Sequence, residues 1–344
     1  MLKVLHIGAK NYPPAHGGTE RVVYNIVNSI EVVDFYLLVE WDQNETNRVF
    51  VLPKKLNYFS KMIFIMNFVK KHNIEIIHFH NEKYIPMAIY QSIFFKKIVL
   101  TVHGVHFRSP KFGLFTRIVF WIVDIFGYFF LPRMIFCSEC DQKEFSNFFF
   151  FRKSYFINNG ADLCETEQTS SDIEFHDTFI YLGRITPAKN IHKLIDTATS
   201  KKIKVHIYGN LDNECEKYCK IALQKIENSE FVEYKGIVPY NEVFATLKKY
   251  KAFLYITIME GLPLAVLEAA SCGLHLILSN IPHHRYLNLP SVTYVDAKNP
   301  QIPCIQDIIS GTPNREYVTE NFSNIKMGNE YLKIYNSFNE KKYD

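Results

Sequence analysis

Residues 1–30 read MLKVLHIGAKNYPPAHGGTERVVYNIVNSI, one strand, one loop and one helix in succession. Lys3 to Gly8 is a short apolar run that opens into a Pro/Gly-rich loop ending at Gly18. From Thr19 onward, Val22, Val23, Ile26, Val27 and Ile30 recur at helical spacing. The rhythm then repeats. It predicts strands at 34–39, 74–80, 97–103, 134–137 and 153–157, with helices at 61–72, 84–94 and 113–127. After a polar linker at 165–172 a second series follows. Its strands fall at 179–182, 204–208, 232–234, 252–257 and 276–279, and its helices at 191–199, 213–227, 240–249 and 263–271. A helical tail is expected at 321–338. Strands alternating with helices imply parallel βαβ units with both sheet faces covered. The fold class is therefore α/β, with two open domains of similar size and no short repeat.

Composition narrows the function. The chain has 344 residues, enough for two domains of about 150. A formal net charge of +4 is too mild for a nucleic-acid binder, which carries a strongly basic domain. Hydrophobic residues at 48% with 22% charged exclude a disordered chain. The seven Cys are scattered and MLKVLHIGAK does not read as a secretory signal, so a reduced, cytoplasmic setting is expected. Aromatic residues are abundant, with 29 Phe and 21 Tyr against 2 Trp. The most apolar stretch, 118–132, is interrupted by Asp124 and falls short of the ~20 residues that span a bilayer. The Phe cluster at 59–68, 107–136 and 145–156, near Lys and Arg. That pattern fits core under a sheet together with a surface that dips among anionic lipid headgroups.

In such domains ligands bind beyond the carboxyl ends of the strands, and four post-strand stretches carry chemistry. In NYPPAHGGTE, Gly17 and Gly18 let backbone N–H groups approach an anion at a helix start, although a plain turn fits equally. The spacing is not G-x-G-x-x-G, which counts against a nicotinamide or flavin enzyme. In YLGRITPAKN, Arg184 offers a planar fork and Lys189 a mobile point charge, a pair suited to a diphosphate; two solvated surface cations are the alternative. In TIMEGLPLAVLE, Glu260 precedes a helix and Glu268 lies in it. A wholly helical stretch between them would span ~12 Å, against ~5 Å for the carboxyl pair of retaining glycosidases. The two acids suit different hydroxyls of one long ligand, and the N–H groups of Gly261 and Leu262 at the helix start suit negative charge. In TVHGVHF, His103 follows a strand and Gly104 allows close approach.

Metal frameworks are weaker. His78 and His80 in HFH share a strand face, but no further ligand has a matching spacing, so they read as packing. CSEC at 137–140 and the pair Cys215 and Cys219 fit no zinc pattern. No metal is expected.

Taken together, these residues make the chain similar to the retaining glycosyltransferases of the GT-B fold, in particular the large family four. The resemblance runs through HIGAKNYPPAHGGTERVV, TVHG, IFCSECDQKEF, INNGAD, YLGRITPAKN, IYGN, YKGIVPYNEV and EGLPLAVLEAASCG. It implies two tandem Rossmann-like domains with parallel sheets facing across a cleft. The acceptor domain would be 1–165, the nucleotide-sugar donor domain 166–315, and 316–344 a helix crossing back to the first. It implies that Arg184 and Lys189 hold the donor diphosphate, with Gly17, Gly18, Gly183 and Gly209 bringing backbone close to the donor. Glu268 would bind the ribose, and Glu260 the donor sugar, with Gly261 and Leu262 beside it. Backbone at Ile237 and Val238 would contact the base, and His103 would stand by the reacting centre. The same resemblance implies a UDP- or GDP-sugar donor, a glycan or lipid-linked acceptor, retention of configuration, and no cofactor, metal or nucleic acid. It places the enzyme in the cytoplasm or peripherally on the inner face of the cytoplasmic membrane, in cell-surface polysaccharide synthesis. Leu274 and His275 stand where Pro and an apolar residue are common, Tyr286 where an acid is frequent, and Pro263 where Gly is frequent. A GT-B epimerase and a non-catalytic GT-B subunit are the alternatives. The E-x7-E pair speaks against the first, and the intact set of Arg184, Lys189, Glu260, Glu268 and His103 against the second.

Overall fold

The computed structural model describes residues 1–14, 18–41, 44–104, 107, 112–148, 155–166, 168–308 and 313–339. They form two compact units, the first from residues up to 160 and from 324 onward, the second from 161–323.

The first unit runs β1 (Leu2–Ile7), α1 (Gly18–Ser29), β2 (Val33–Val39), β3 (Val49–Val51), α2 (Tyr58–His72), β4 (Ile76–His80), α3 (Ile85–Phe94), β5 (Ile98–Val102), α4 (Leu114–Phe130), β6 (Arg133–Phe136), α5 (Glu139–Phe148) and β7 (Tyr155–Phe156). The second runs β8 (Thr178–Leu182), α6 (Ile191–Lys201), β9 (Lys204–Tyr208), α7 (Glu216–Glu227), β10 (Val232–Gly236), α8 (Val243–Lys248), β11 (Ala252–Tyr255), α9 (Leu264–Ser271), β12 (His275–Ser279), α10 (Pro282–Tyr286), β13 (Val292–Val295) and α11 (Asn314–Asn321). The last helix, α12 (Asn324–Asn336), belongs to the first unit and packs on α1.

Both sheets are parallel, with orders β3-β2-β1-β4-β5-β6-β7 and β10-β9-β8-β11-β12-β13. Each order reverses once, between β1 and β4 in the first sheet and between β8 and β11 in the second. Alternation along the strands sends Leu5, Ile7, Ile77, Phe79, Leu100 and Phe136 to one face of the first sheet. There they pack with Met62 and Ile65 of α2, Ile85 and Met87 of α3, and Tyr128 of α4. The other face carries buried polar side chains, His6, His78, His80 and Thr101, and α12 meets them with Tyr331 and Tyr335.

Local chemistry sets several boundaries. The Asn57 side chain accepts from the Ser60 N–H at 2.8 Å and caps α2, which stops at Asn73 in the left-handed conformation. Pro263 stands one residue before α9 as its cap and not in its first turn, and Gly273, with φ of 84°, follows the helix end. The units divide at 160 and 323, where the sequence reading drew 165 and 315, because α11 stays with the second unit and packs on α9. Five elements not expected from the pattern, β3, α5, α10, β13 and α11, are short or polar, so no period can be read from them.

Helix α4 is amphipathic in an inverted sense. Its buried residues are Asp124, Gly127 and Tyr128, a narrow stripe at helical spacing. Ile85 packs so closely on Gly127 that an added Cβ would sit 3.0 Å from it. Burial and the neighbouring Glu82 push the Asp124 carboxyl well above the usual range. Leu114, Phe115, Ile118, Trp121, Phe126 and Phe130 are exposed. Ile93 and Phe94 at the end of α3, which packs on α4, and Phe59 and Ile63 of α2 are exposed as well. Most of the third Phe group, 145–156, lies outside the residues whose side chains are described; Phe156 is exposed. Among the described residues no helix is long and apolar enough to cross a membrane.

The strand-end glycines of the second sheet are tightly opposed. Gly209 has φ of +145°, and a Cβ there would run into the carbonyl oxygen of Gly183. Gly209→Ala is expected to destabilise the protein by at least about 2 kcal/mol, from an unfavourable φ plus a backbone clash. A thermal melt within a degree of the native protein would contradict this.

Candidate active site

In the second unit the sequence-identified residues gather at the carboxyl ends of neighbouring strands. Gly183 and Arg184 follow β8, Gly209 follows β9, Ile237 and Val238 follow β10, and Glu260, Gly261 and Leu262 follow β11. These strands are adjacent in the order β10-β9-β8-β11, and β8 and β11 flank the reversal. Lys189 closes a short 3-10 turn after β8, and the Ile258 N–H donates to the Ala188 carbonyl at 3.0 Å, tying the two loops together.

The centre of the cluster is an ion pair. The Lys189 ammonium donates to both oxygens of Glu260, at 2.6 and 2.7 Å, and to the Tyr255 hydroxyl at 2.8 Å. Both side chains are mostly shielded, 16% exposed for Lys189 and 5% for Glu260. Burial lowers the Lys189 ammonium from its ordinary range, the Glu260 carboxylate raises it, and the nearby Arg184 lowers it again. The Tyr255 ring also lies 5.2 Å from the ammonium and stacks on Tyr181 at 5.4 Å. The Tyr181 hydroxyl donates to the Arg184 carbonyl at 3.1 Å, holding the arginine's backbone. The Arg184 guanidinium is more open and lies 3.5 Å from the Asp212 carboxylate. Sequence reasoning missed Tyr181, Tyr255 and Asp212. The two tyrosines lie inside strands and carry no motif, and Asp212 becomes relevant only once β8 and β9 are paired.

Glu268 is completely buried in α9, whose residues are nearly all buried. Gly261 and Leu262 lie in the loop before this helix. The amides of its first turn belong to Leu264 and Ala265, so the N–H groups expected at 261 and 262 do not come from the helix itself.

In the first unit Gly18 opens α1, with open space where a Cβ would stand, and Gly17 lies outside the described residues. His103 follows β5. Its Nε2 lies 3.0 Å from His80 Nδ1, and its Nδ1 lies 3.4 Å from Cys137 Sγ. His6, His78 and His80 bring ring nitrogens within 4.8 Å of one another, the one grouping among the described residues with metal-ligand spacing. His6 is the member that the sequence pattern missed. Parallel pairing of β1 with β4 sets it beside His78. Each of these rings, however, has both nitrogens hydrogen-bonded to another imidazole or to a hydroxyl, so a metal would have to displace bonds already made.

Burial holds the imidazoles neutral, with His6 and His103 lowered to about 3 and His78 and His80 well below 6.5. Their unfolded counterparts take up protons near pH 6.5, so the unfolded state binds more protons as pH falls. Stability is then present above pH 6.5 and is lost progressively as pH drops toward 3. Each histidine that stays neutral contributes a loss of about 1.4 kcal/mol per pH unit below its unfolded pKa. Urea midpoints are expected to fall clearly between pH 7 and pH 5; a flat profile would rule the neutral cluster out.

Residues 166–302 match the family described as Glycosyl transferases group 1, and residues 16–165 match the one described as Glycosyltransferase Family 4. The chain is 27% identical over 263 residues to the O-antigen biosynthesis glycosyltransferase WclY of Escherichia coli, spanning 70% of this chain and 72% of that protein. It is 24% identical over 264 residues to the capsular polysaccharide biosynthesis glycosyltransferase CapH of Staphylococcus aureus, spanning 72% and 71%. Among solved structures, a sucrose-phosphate synthase from Thermosynechococcus elongatus superposes with a TM-score of 0.81 at 15% identity, over 98% of this chain and 99% of that one. HepE from Anabaena, solved with UDP and glucose, superposes with a TM-score of 0.77 at 16% identity, over 98% and 100%.

Proposed function

The chain belongs to the group 1, family 4 glycosyltransferases and has their GT-B fold, and from that premise we propose a retaining, metal-independent transfer of sugar from a UDP-sugar to a hydroxyl of a lipid-linked or glycan acceptor in cell-surface polysaccharide assembly. The O-antigen and capsular polysaccharide biosynthesis named for WclY and CapH, and the UDP in the HepE structure, support the pathway and the nucleotide. The observation that carries the reading is the Lys189–Glu260 pair at the reversal point of the second sheet.

Breaking a nucleotide-sugar bond builds negative charge on the diphosphate and positive character at the anomeric carbon. Lys189 and Arg184 are the cations that meet the first, and burial strengthens the contribution of Lys189. In the free protein Glu260 neutralises Lys189. A donor offers phosphate oxygens to the lysine and sugar hydroxyls to the glutamate, so both partners are re-satisfied in one exchange. A ligand that took Lys189 and gave nothing to Glu260 would strand a buried carboxylate. Glu268 serves the ribose, Gly18, Gly183 and Gly209 let backbone approach the donor, and the loop at Ile237 and Val238 meets the base. His103 stands by the anomeric centre. With protein cations on the diphosphate, neither a divalent metal nor a protein nucleophile is called for.

The acceptor side draws support from α4. A helix that buries an aspartate and exposes tryptophan and phenylalanine fits an apolar medium on its outer side. Exposed Lys96 beside Phe94 fits anionic headgroups, and a lipid-linked acceptor would be met at such a surface.

Nucleotide release from a panel of UDP- and GDP-sugars, with and without native lipid extract, tests the reaction. Acceptor-dependent release is expected, and Lys189→Ala or Arg184→Ala should lower kcat about a hundredfold. Near-native turnover in both variants would sink the assignment. The protein should also float with vesicles containing anionic lipid, and Phe115→Glu with Trp121→Glu should abolish flotation. Equal recovery of native and doubly substituted protein in the lipid fraction would remove α4 from the acceptor surface.

A further inference from the structure

The buried His6, His78 and His80 and the half-buried His103 of the first unit are joined through every one of their ring nitrogens. Cys137 Sγ meets His103 Nδ1 at 3.4 Å, and His103 Nε2 meets His80 Nδ1 at 3.0 Å. His80 Nε2 meets His6 Nδ1 at 2.9 Å, and His6 Nε2 meets the Tyr335 hydroxyl at 3.4 Å. From Tyr335 the path runs to His78 Nδ1 at 2.8 Å, from His78 Nε2 to Thr101 Oγ1 at 2.8 Å, and on to the Tyr331 hydroxyl at 3.1 Å. The result is one unbranched chain that starts beside His103 and ends under the last helix.

A neutral imidazole has one N–H and one bare nitrogen. All links can be made without stranding a buried hydroxyl proton inside the chain only if every donor points the same way: a hydroxyl can accept from both neighbours, but its own proton is then left unmade. One ring turned against the rest sets N–H against N–H on one side and lone pair against lone pair on the other. A ring that took a second proton would send donors outward in both directions, but burial opposes that proton and keeps the rings neutral.

Two directions remain, and the ends decide between them. If donors run toward Tyr331, its hydroxyl accepts from Thr101. Its own proton, completely buried, then faces no acceptor among the described residues. If donors run toward Cys137, Tyr331 donates to Thr101 and the chain ends on sulfur, which the Asn159 side chain also hydrogen-bonds. The proton left over is then an S–H, a weaker donor and less costly to leave unmade than an O–H. The second direction wins. It places a proton on Nδ1 of His103, His80, His6 and His78 alike.

We propose that His80, His6 and Tyr335 are positioning residues for sugar transfer, holding His103 as a single neutral Nδ1–H tautomer through a one-way hydrogen-bonded chain anchored on the last helix. The role rests on the reading of His103 as the group beside the reacting sugar. A neutral ring does not repel the positive character that develops at the anomeric carbon, whereas an imidazolium does. A ring locked in one tautomer also presents the same edge in every turnover, so no reorganisation is needed as charge develops.

Two-bond 1H–15N spectra of the histidine side chains distinguish Nδ1–H from Nε2–H rings without any substrate. The native protein at pH 7 is expected to show Nδ1–H for His103. An Nε2–H ring, or averaging between the two, overturns the proposal. Tyr335→Phe keeps the ring volume and deletes the hydroxyl between His6 and His78. It is expected to turn His103, three links away, into a tautomer mixture and to lower kcat about tenfold, with donor KM within about twofold. A His103 spectrum unchanged in this variant overturns the proposal. Should Tyr335→Phe fail to fold, the native spectrum decides alone. Expected spectra combined with a His103→Ala enzyme of native turnover would overturn the catalytic reading of His103, and the positioning role with it. Native-like spectra and turnover in Tyr335→Phe, together with an inactive His103→Ala, would overturn the positioning role alone.

Discussion

A parallel sheet must have both faces covered, because its strands are joined by crossovers and neither side is left to water. The first unit meets this demand with two different materials. Aliphatic and aromatic side chains from α2, α3 and α4 cover one face. The other face presents imidazoles and a threonine hydroxyl from β1, β4 and β5, and its cover must supply polar groups at matching points. Helix α12 does so with Tyr331 and Tyr335. A purely apolar helix in that place would orphan buried donors and acceptors. The return of the chain at Asn324 is therefore a requirement of hydrogen bonding as much as of packing.

The second unit solves a related problem with charge. Its crossovers reverse between β8 and β11, and the two loops that leave those strands carry a lysine and a glutamate. Separately each would be a costly buried ion. Together they are a compact pair with Tyr255 completing the shell. Such a pair leaves neither buried ion stranded.

Much of this was legible in residue order. The alternation of apolar runs with helical periods marked nearly every long element. The charged set, Arg184, Lys189, Glu260 and Glu268, could be picked out by its placement after strands. Pairing was not legible. His6 looked like one more strand residue, and only the register between β1 and β4 sets it beside His78. Lys189 and Glu260 are 71 positions apart, and their contact depends on β8 and β11 being neighbours while β9 and β10 lie on the other side. The apolar content of α4 was plain, but the side facing outward was not, because its buried stripe is set by one aspartate, one glycine and one tyrosine. Short elements such as β3 and α10 lack the length for any period to show.

The placement of α12 has a consequence for biogenesis. A ribosome makes β1 to β7 before the whole second unit and α12. During that interval the histidine-bearing face lacks the two tyrosines that close it, and its imidazoles can bind water or protons. The second unit, contiguous from 161 to 323, has no such wait. The nascent protein would thus carry a closed second unit while the first stays unsealed until α12 has been made.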